Sequence, residues 1–347
     1  MIAVQPKSVP LDTLELTSDY GPSQSDKLFA NRQKSKAITQ AINGKLCYLN
    51  SDIHKDYQAA YYCNDVLLQN GKSVTANYCR KRNCIVCSRI KSARLMKSYS
   101  EPLFGLIELH MVTVTKPNVA GHELREEILS MKKGLSKVKD NIRKVYKLKT
   151  IGLWKLEITY NERTGKFNPH YHILVEGAAQ ANLIRSEWLR LFKDSNYRAQ
   201  DVRPVQSNSA LLEVFKYVTK AIVKNHFDAR ALDTMYRAIK GMRTIQPMGI
   251  KRVKESDEDH TVTEITHRNE SIDVWKWCNK KNDWYNSKDE KLNNGYISQE
   301  TKRVIRVINQ SDSNEEKSDE RDTDQRRYRE IIRKARGRKR DREHPVF

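Results

Sequence analysis

The stretch Leu153-Trp-Lys-Leu-Glu-Ile-Thr-Tyr160-Asn-Glu-Arg-Thr-Gly165-Lys-Phe-Asn-Pro169-His-Tyr-His-Ile-Leu-Val175-Glu176 reads as two strands, Leu153 to Tyr160 and His170 to Glu176. The Gly165 and Pro169 punctuation between them makes a hairpin the simplest connection. Side chains alternate along a strand, so His170 and His172 share one face while Tyr171, Ile173 and Val175 take the other. Two neutral imidazoles on one face suit a divalent metal with open positions, and a carboxylate would complete the set. Glu157, on the strand across the hairpin, is the nearest candidate.

Outward from this hairpin, Leu103 to Thr115 is expected as a half-buried strand. Met111, Thr113 and Thr115 fall on one side of it and Val112 and Val114 on the other. From Gly121 the period changes. Leu124, Ile128, Met131, Leu135, Val138, Ile142 and Val145 recur at steps of four and three, which predicts one long amphipathic helix. Further helices are expected over Ser25 to Ala41, Asn182 to Lys193, Ala210 to Asn225 and Thr234 to Gly241, with a short strand at Ala199 to Val205. Such an order favours an α+β fold, an antiparallel sheet flanked by helices. Beyond about residue 250 no clear period remains: Val274 to Tyr285 mixes aromatics with charges. Asp312 to Asp324 is acidic, and Arg326 to Arg342 is a basic run with little expectation of packing.

The 347 residues hold 64 Lys plus Arg against 43 Asp plus Glu, a net charge of +21. Such a surplus collects polyanions, nucleic acid first and anionic membrane surfaces second, and argues against an enzyme of neutral metabolites. No apolar stretch approaches the roughly 20 residues needed to cross a bilayer. Met1 to Asp19 lacks the pattern of a secretory signal, so a cytoplasmic protein with no membrane partner is expected. Cysteines in that setting argue for reduced thiols or metal ligation.

Four of them, Cys63, Cys79, Cys84 and Cys87, stand close together, the last two as Cys-x-x-Cys. A tight turn can present several thiolates to one tetrahedral ion, and Cys63 can close the site from a neighbouring element. Structural Zn²⁺ is the expected ion. Lys81, Arg82, Arg89, Lys91 and Arg94 surround the cluster, which fits an ordered knuckle touching phosphates. Cys47 and Cys278 are unassigned.

At 100° per residue, Leu211, Val214, Phe215, Val218 and Ile222 form the apolar stripe of the Ala210 to Asn225 helix. Glu213, Tyr217, Lys220 and Lys224 cluster on the opposite side. Tyr217 is thus off the core stripe and shares its face with a carboxylate and two lysines. A phenol needs a nearby cation or metal to attack as phenolate, and Lys220 is placed to help.

Together these residues resemble plasmid rolling-circle replication initiator proteins, a branch of the HUH endonucleases. The resemblance runs from about Asp26 to Lys224. It rests on Ser25-Asp-Lys, on Cys63 with Ala76-Asn-Tyr-Cys79-Arg-Lys-Arg-Asn-Cys84-Ile-Val-Cys87, on Val112-Thr-Val-Thr-Lys-Pro117-Asn-Val, on Lys155-Leu-Glu-Ile-Thr-Tyr160-Asn, on Asn168-Pro-His-Tyr-His172 and on Glu213-Val-Phe-Lys-Tyr217-Val-Thr-Lys220. Ile85 stands where the family usually has proline.

The resemblance implies a metal-dependent, site-specific single-strand DNA endonuclease and strand transferase. His170 and His172 would hold Mg²⁺ or Mn²⁺, and the third ligand is open between Glu157 and water. Tyr217 would attack the scissile phosphate, leaving a 5′-phosphotyrosine and a free 3′-OH. Glu213 could activate water to end replication, and Lys220 would stabilise charge. Lys81, Arg82, Arg89 and Lys224 are candidate DNA contacts. Expected partners are single-stranded and duplex origin DNA, host helicase and DNA polymerase; the oligomeric state is open.

The expected segments are 1–50, polar and helical; 51–100, a Cys-rich zinc element; 101–245, the nicking core; 246–310, accessory or DNA-binding; and 311–347, a charged tail. A transposase or mobilisation relaxase would share the His pair and tyrosine. A non-enzymatic zinc DNA-binding protein would explain the charge and cysteines but leave those residues idle.

Overall fold

A strand with period-two alternation keeps one row of side chains in the core only when its neighbours fix its register. The computed structural model describes residues 24–70, 73–205, 214, 227–253, 272–292 and 298–310. Strand β5 (Lys166–Glu176) lies between β3 (Leu109–Thr115) and β4 (Gly152–Asn161), antiparallel to both. The expected hairpin is therefore β4–β5. The short strands β6 (Asp201–Pro204) and β7 (Ile245–Met248) flank them, in the order β6-β3-β5-β4-β7.

One face of this sheet is apolar throughout. Val112, Val114, Trp154, Leu156, Ile158, Tyr171, Ile173 and Val175 are buried there in a single cluster with residues of helices α4 (Leu124–Val145) and α5 (Ala178–Leu191). α4 forms where the period of four and three predicted it. Leu124, Ile128, Met131, Leu135, Val138 and Ile142 are buried, Glu126 and Glu127 stand in its first turn and Arg143 and Lys144 in its last, each matching the helix dipole. From α5, Trp188 is fully buried and its indole donates to the Thr115 carbonyl at 3.1 Å. Each large apolar side chain buried here contributes about 1.5–3 kcal/mol.

The opposite face is divided. Leu109, Met111, Leu153 and Leu174 pack against Tyr99 and Leu103 of α3 (Ile85–Phe104) and against Val214. Farther along the same rows, register places Thr113 beside His172, Thr115 beside His170, Lys155 beside His172 and Glu157 beside His170. That half carries polar groups.

A second antiparallel sheet has the order β2-β1-β8-β9. Its strands are β1 (Val66–Asn70), β2 (Ser73–Ala76), β8 (Asp273–Cys278) and β9 (Asp283–Tyr285). Leu67, Trp275 and Trp284 form its core. The Trp284 indole donates to the Asn64 carbonyl, and the Trp277 indole to the Gln40 side chain on α1 (Gln24–Leu46), both at 2.8 Å. The region beyond residue 250 thus has regular structure that the sequence pattern did not reveal. Its strands are short, and β8 finds its partner β1 about two hundred residues upstream. α2 (His54–Tyr61) packs on α1, α6 (Ala229–Ala238) adds to the main core, and α7 (Gln299–Gln310) lies along α1.

One expected strand is shorter than its pattern suggested. Leu103 belongs to the last turn of α3, where it is fully buried, and Gly105 caps that helix before β3 begins at Leu109. The expected Ala210 to Asn225 helix lies, Val214 apart, outside the described residues, as does the charged tail. No described helix is long and apolar enough to cross a membrane.

At Gly152 the strands approach so closely that a Cβ would overlap the Leu174 carbonyl oxygen, which is backbone and cannot turn aside. Gly152→Ala should therefore destabilise the fold by about 1–3 kcal/mol or more, the usual cost of overpacking. A urea midpoint equal to that of the parent chain would contradict this close approach.

Candidate functional site

The open half of the divided face holds a ligand-like group. Glu157, His170 and His172 each offer one donor atom, all within 4.8 Å of one another. The His172 Nε2 lies 3.2 Å from Glu157 Oε2, and the imidazoles meet edge to face at 4.9 Å between centroids. Glu157 is buried, whereas the histidines are partly open to solvent. Two imidazole nitrogens and a carboxylate oxygen on one side of a sheet are a donor set that divalent cations accept, with positions left for a substrate oxygen. These residues could hold a metal ion.

Each imidazole is oriented through its other nitrogen. His170 Nδ1 lies 3.1 Å from the Asn168 carbonyl, and His172 Nδ1 lies 3.1 Å from the Thr113 hydroxyl. A carbonyl can only accept, so His170 Nδ1 carries the proton and Nε2 is left as the ligating nitrogen. Burial, then the neighbouring His172 imidazole, pushes His170 down to about 4. It is thus neutral, and able to ligate, at ordinary pH. Lys155, itself buried, sits 3.3 Å from Glu157 Oε2. Thr113, Asn168 and Lys155 were not singled out from sequence as site residues, although each lies within a quoted motif. Alternation along β3 and β4 marks the face of Thr113 and Lys155, but only register tells which residue of the next strand they meet.

The four cysteines also converge. Their sulfurs lie within 4.8 Å of one another, with Cys63 and Cys79 3.6 and 3.7 Å from Cys87. Backbone N–H groups point at the sulfurs: Cys79 to Cys63 at 3.4 Å, Arg80 to Cys87 at 3.3 Å, Lys81 to Cys79 at 3.5 Å, and Cys87 to Cys84 at 3.4 Å. Arg80 takes a φ of 56° to aim its amide there, a cost that a non-glycine residue bears only under local demand. Cys84 caps α3, whose N-terminal dipole favours thiolate. Hydrogen bonds from Cys79, then Cys84 and Cys87, draw Cys63 well below the ordinary thiol value. Cys63 first, then Cys79 and Cys87, push Cys84 up. One thiolate thus raises the cost of the next, an opposition that a bound cation removes. Four sulfurs with N–H donors around them match a closed tetrahedral metal site. Of the unassigned cysteines, Cys47 packs in the main core and Cys278 ends β8.

Three of the basic residues expected beside the cysteines are engaged within the fold. Lys81 pairs with Asp56 at 2.7 Å, Arg82 donates to the Ile239 and Met242 carbonyls at the end of α6, and Arg89 donates to Ser35 Oγ at 2.9 Å. Tyr217, Glu213, Lys220 and Lys224 lie outside the described residues. Within the 206–226 stretch the described residue is Val214, an apolar-stripe position, buried against Met111, Leu153 and Leu174 on the side of the sheet that bears the histidines.

A family model described as "Replication protein" matches residues 70–293, a span that contains Glu157, His170, His172 and Tyr217 but not Cys63. "Protein rep" of Staphylococcus aureus is 27% identical over 221 residues, 56% of this chain and 93% of that protein. "Protein rep" of Streptococcus pneumoniae serotype 2 (strain D39 / NCTC 7466) is 24% identical over 193 residues, 47% of this chain and 58% of that protein. "Protein rep" of a Bacillus species is 26% identical over 183 residues, 43% and 59% of the two chains. No solved structure matches.

Two outcomes are expected. Thr113→Val removes the partner of His172 Nδ1 and should weaken Mn²⁺ binding about 10-fold or more, measured by electron paramagnetic resonance of the free ion; unchanged affinity would deny the hydroxyl an orienting role. The unfolded chain takes up a proton on His170 near 6.5, which the folded chain refuses until about 4, so stability is lost as pH falls through that window. Without added divalent metal, the urea midpoint should fall between pH 7 and 4.5, and fall less in His170→Asn. Equal declines in both proteins would assign the pH dependence to other groups.

Proposed function

This chain belongs to the replication protein family, and from that premise we propose that it initiates plasmid rolling-circle replication by nicking one strand of the origin. The observation that carries the reading is the Glu157, His170 and His172 group on the open half of the divided sheet face. In this reading those three residues hold Mg²⁺ or Mn²⁺, which when bound polarises the scissile phosphate as a Lewis acid. Zn²⁺ in Cys63, Cys79, Cys84 and Cys87 orders the 51–100 element, and residues 101–245 carry the chemistry.

The nucleophile is Tyr217, supported by its place off the apolar stripe of its segment and by the burial of Val214 three residues earlier. The phenol oxygen forms a bond to phosphorus as the bond from phosphorus to the 3′-oxygen breaks, leaving a 5′-phosphotyrosine. The phenol's proton is lost to solvent and the departing oxygen gains one, so a free 3′-OH is available to a host polymerase behind its helicase. Lys220 stabilises the negative charge on the phenolate or phosphate. Glu213 accepts a proton from water when the cycle ends by hydrolysis. Lys224 contacts the strand.

Single-stranded oligonucleotides tiled across the plasmid origin, incubated with protein and Mn²⁺, should yield a covalent protein–DNA adduct. The adduct should disappear in Tyr217→Phe and fall at least about 100-fold in His172→Ala. Binding with no adduct at any metal or salt concentration would sink this reading and leave a zinc-dependent DNA-binding protein in its place.

A further inference from the structure

We propose that Arg94 and Lys97 of α3, with Lys251 and Arg252 just beyond β7, form a track for the phosphate backbone of a single DNA strand, leading onto the face that bears the histidines. The two basic pairs are far apart in sequence and are joined by the fold. The Val253 amide donates to the Ser98 carbonyl at 3.0 Å, which lays residues 251–253 beside the helix. Ile245 and Ile250, on either side of the β7 exit, pack into the cluster formed by Tyr99 and Leu103 of α3 with Met111, Leu153 and Leu174 of the sheet. Ile245 pairs with Lys155, and Lys155 with His172, so this cluster and the metal-ligand group lie on one face. Leu174 is two residues from His172 on β5, about 6.6 Å along the strand.

All four side chains are exposed. Arg94, Lys251 and Arg252 have no ion-pair partner among the described residues, whereas Lys81, Lys116 and Arg237 elsewhere are paired with acids. α3 also carries Arg89 and Lys91, and Glu101 is its sole acid. Cations that the fold gathers on one surface repel one another, and a polyanion relieves that repulsion. Arg94 and Lys97 are one helical turn apart, about 4.5 Å along the axis. A spacing of that order meets neighbouring charges of one strand, whereas the two strands of a duplex face each other across a groove about 12 Å wide. That the strand is the one to be nicked rests on the function proposed above; that the patch binds a strand does not.

The test is the salt dependence of binding, by fluorescence anisotropy of a labelled single strand and of the same sequence as duplex. The full-length chain carries Tyr217→Phe throughout to prevent cleavage. For a single strand, the slope of log K against log salt should shrink by about 0.7 for every phosphate that the protein no longer neutralises. Arg94→Gln with Lys97→Gln, and Lys251→Gln with Arg252→Gln, should each lower it by about 1.4, and all four together by nearly 3. Lys133→Gln with Lys137→Gln, exposed on α4 behind the sheet, should leave it unchanged, and circular dichroism should be the same for every variant. A full slope in the fourfold variant, or an equal loss in the α4 control, would overturn the track. A loss confined to duplex would overturn the single-strand assignment. Failure of the active protein to form an adduct would overturn the nicking reading instead, and these slopes would still decide the track.

Discussion

The antiparallel register of β5 between β3 and β4 is the constraint on which the site depends. Pairing places Thr113 and Lys155 beside His172, and Thr115 and Glu157 beside His170. A slip of one residue in either pair would turn a row of core side chains outward and take Glu157 or Thr113 away from the imidazoles. Trp154, Leu156, Tyr171 and Ile173 prevent that slip, because their burial against α4 and α5 is lost in any other register. The polar chemistry on one face is thus held in place by apolar burial on the other.

The cysteine group performs a related task between the two sheets. Cys84 begins α3, whose far end covers the apolar half of the divided face, and Cys63 precedes β1 of the second sheet. Asn83 donates to Asn43 Oδ1 at 2.6 Å and Ile85 to Thr39 Oγ1 at 3.0 Å, tying the same knuckle to α1. Ordering four sulfurs around one point therefore orients a helix, a sheet and the N-terminal helix together. The Lys81 and Arg82 side chains serve this junction, which assigns part of the +21 surplus to internal pairing. Arg94 and Lys97, farther along α3, and Lys251 and Arg252, beyond β7, are exposed by contrast.

Much of the candidate site was legible in the sequence for a simple reason: its determinants are local. His170 and His172 are two apart on a strand, Cys84 and Cys87 span one turn, and alternation or helical period tells which face each takes. Glu157 could be named because a hairpin brings its strand back next to the histidines. Thr113 was harder, since β3 reaches β5 across α4 and β4 and no local pattern states the register. The second sheet was illegible for the same reason in stronger form. β8 holds six residues, and its partner β1 lies far upstream.

The sequence by itself determined the α+β class, the long α4 helix, the hairpin and the sharing of one face by the histidines. Each follows from spacing within a segment and from the geometry of a helix or strand. Tertiary structure decided which residues meet across segments: the Thr113 hydroxyl on His172, Lys155 beside Glu157, Cys63 with the other three sulfurs, and residues 251–253 against α3. Those meetings depend on the burial of apolar rows shared by distant strands and helices, and a linear pattern records the rows but not their partners.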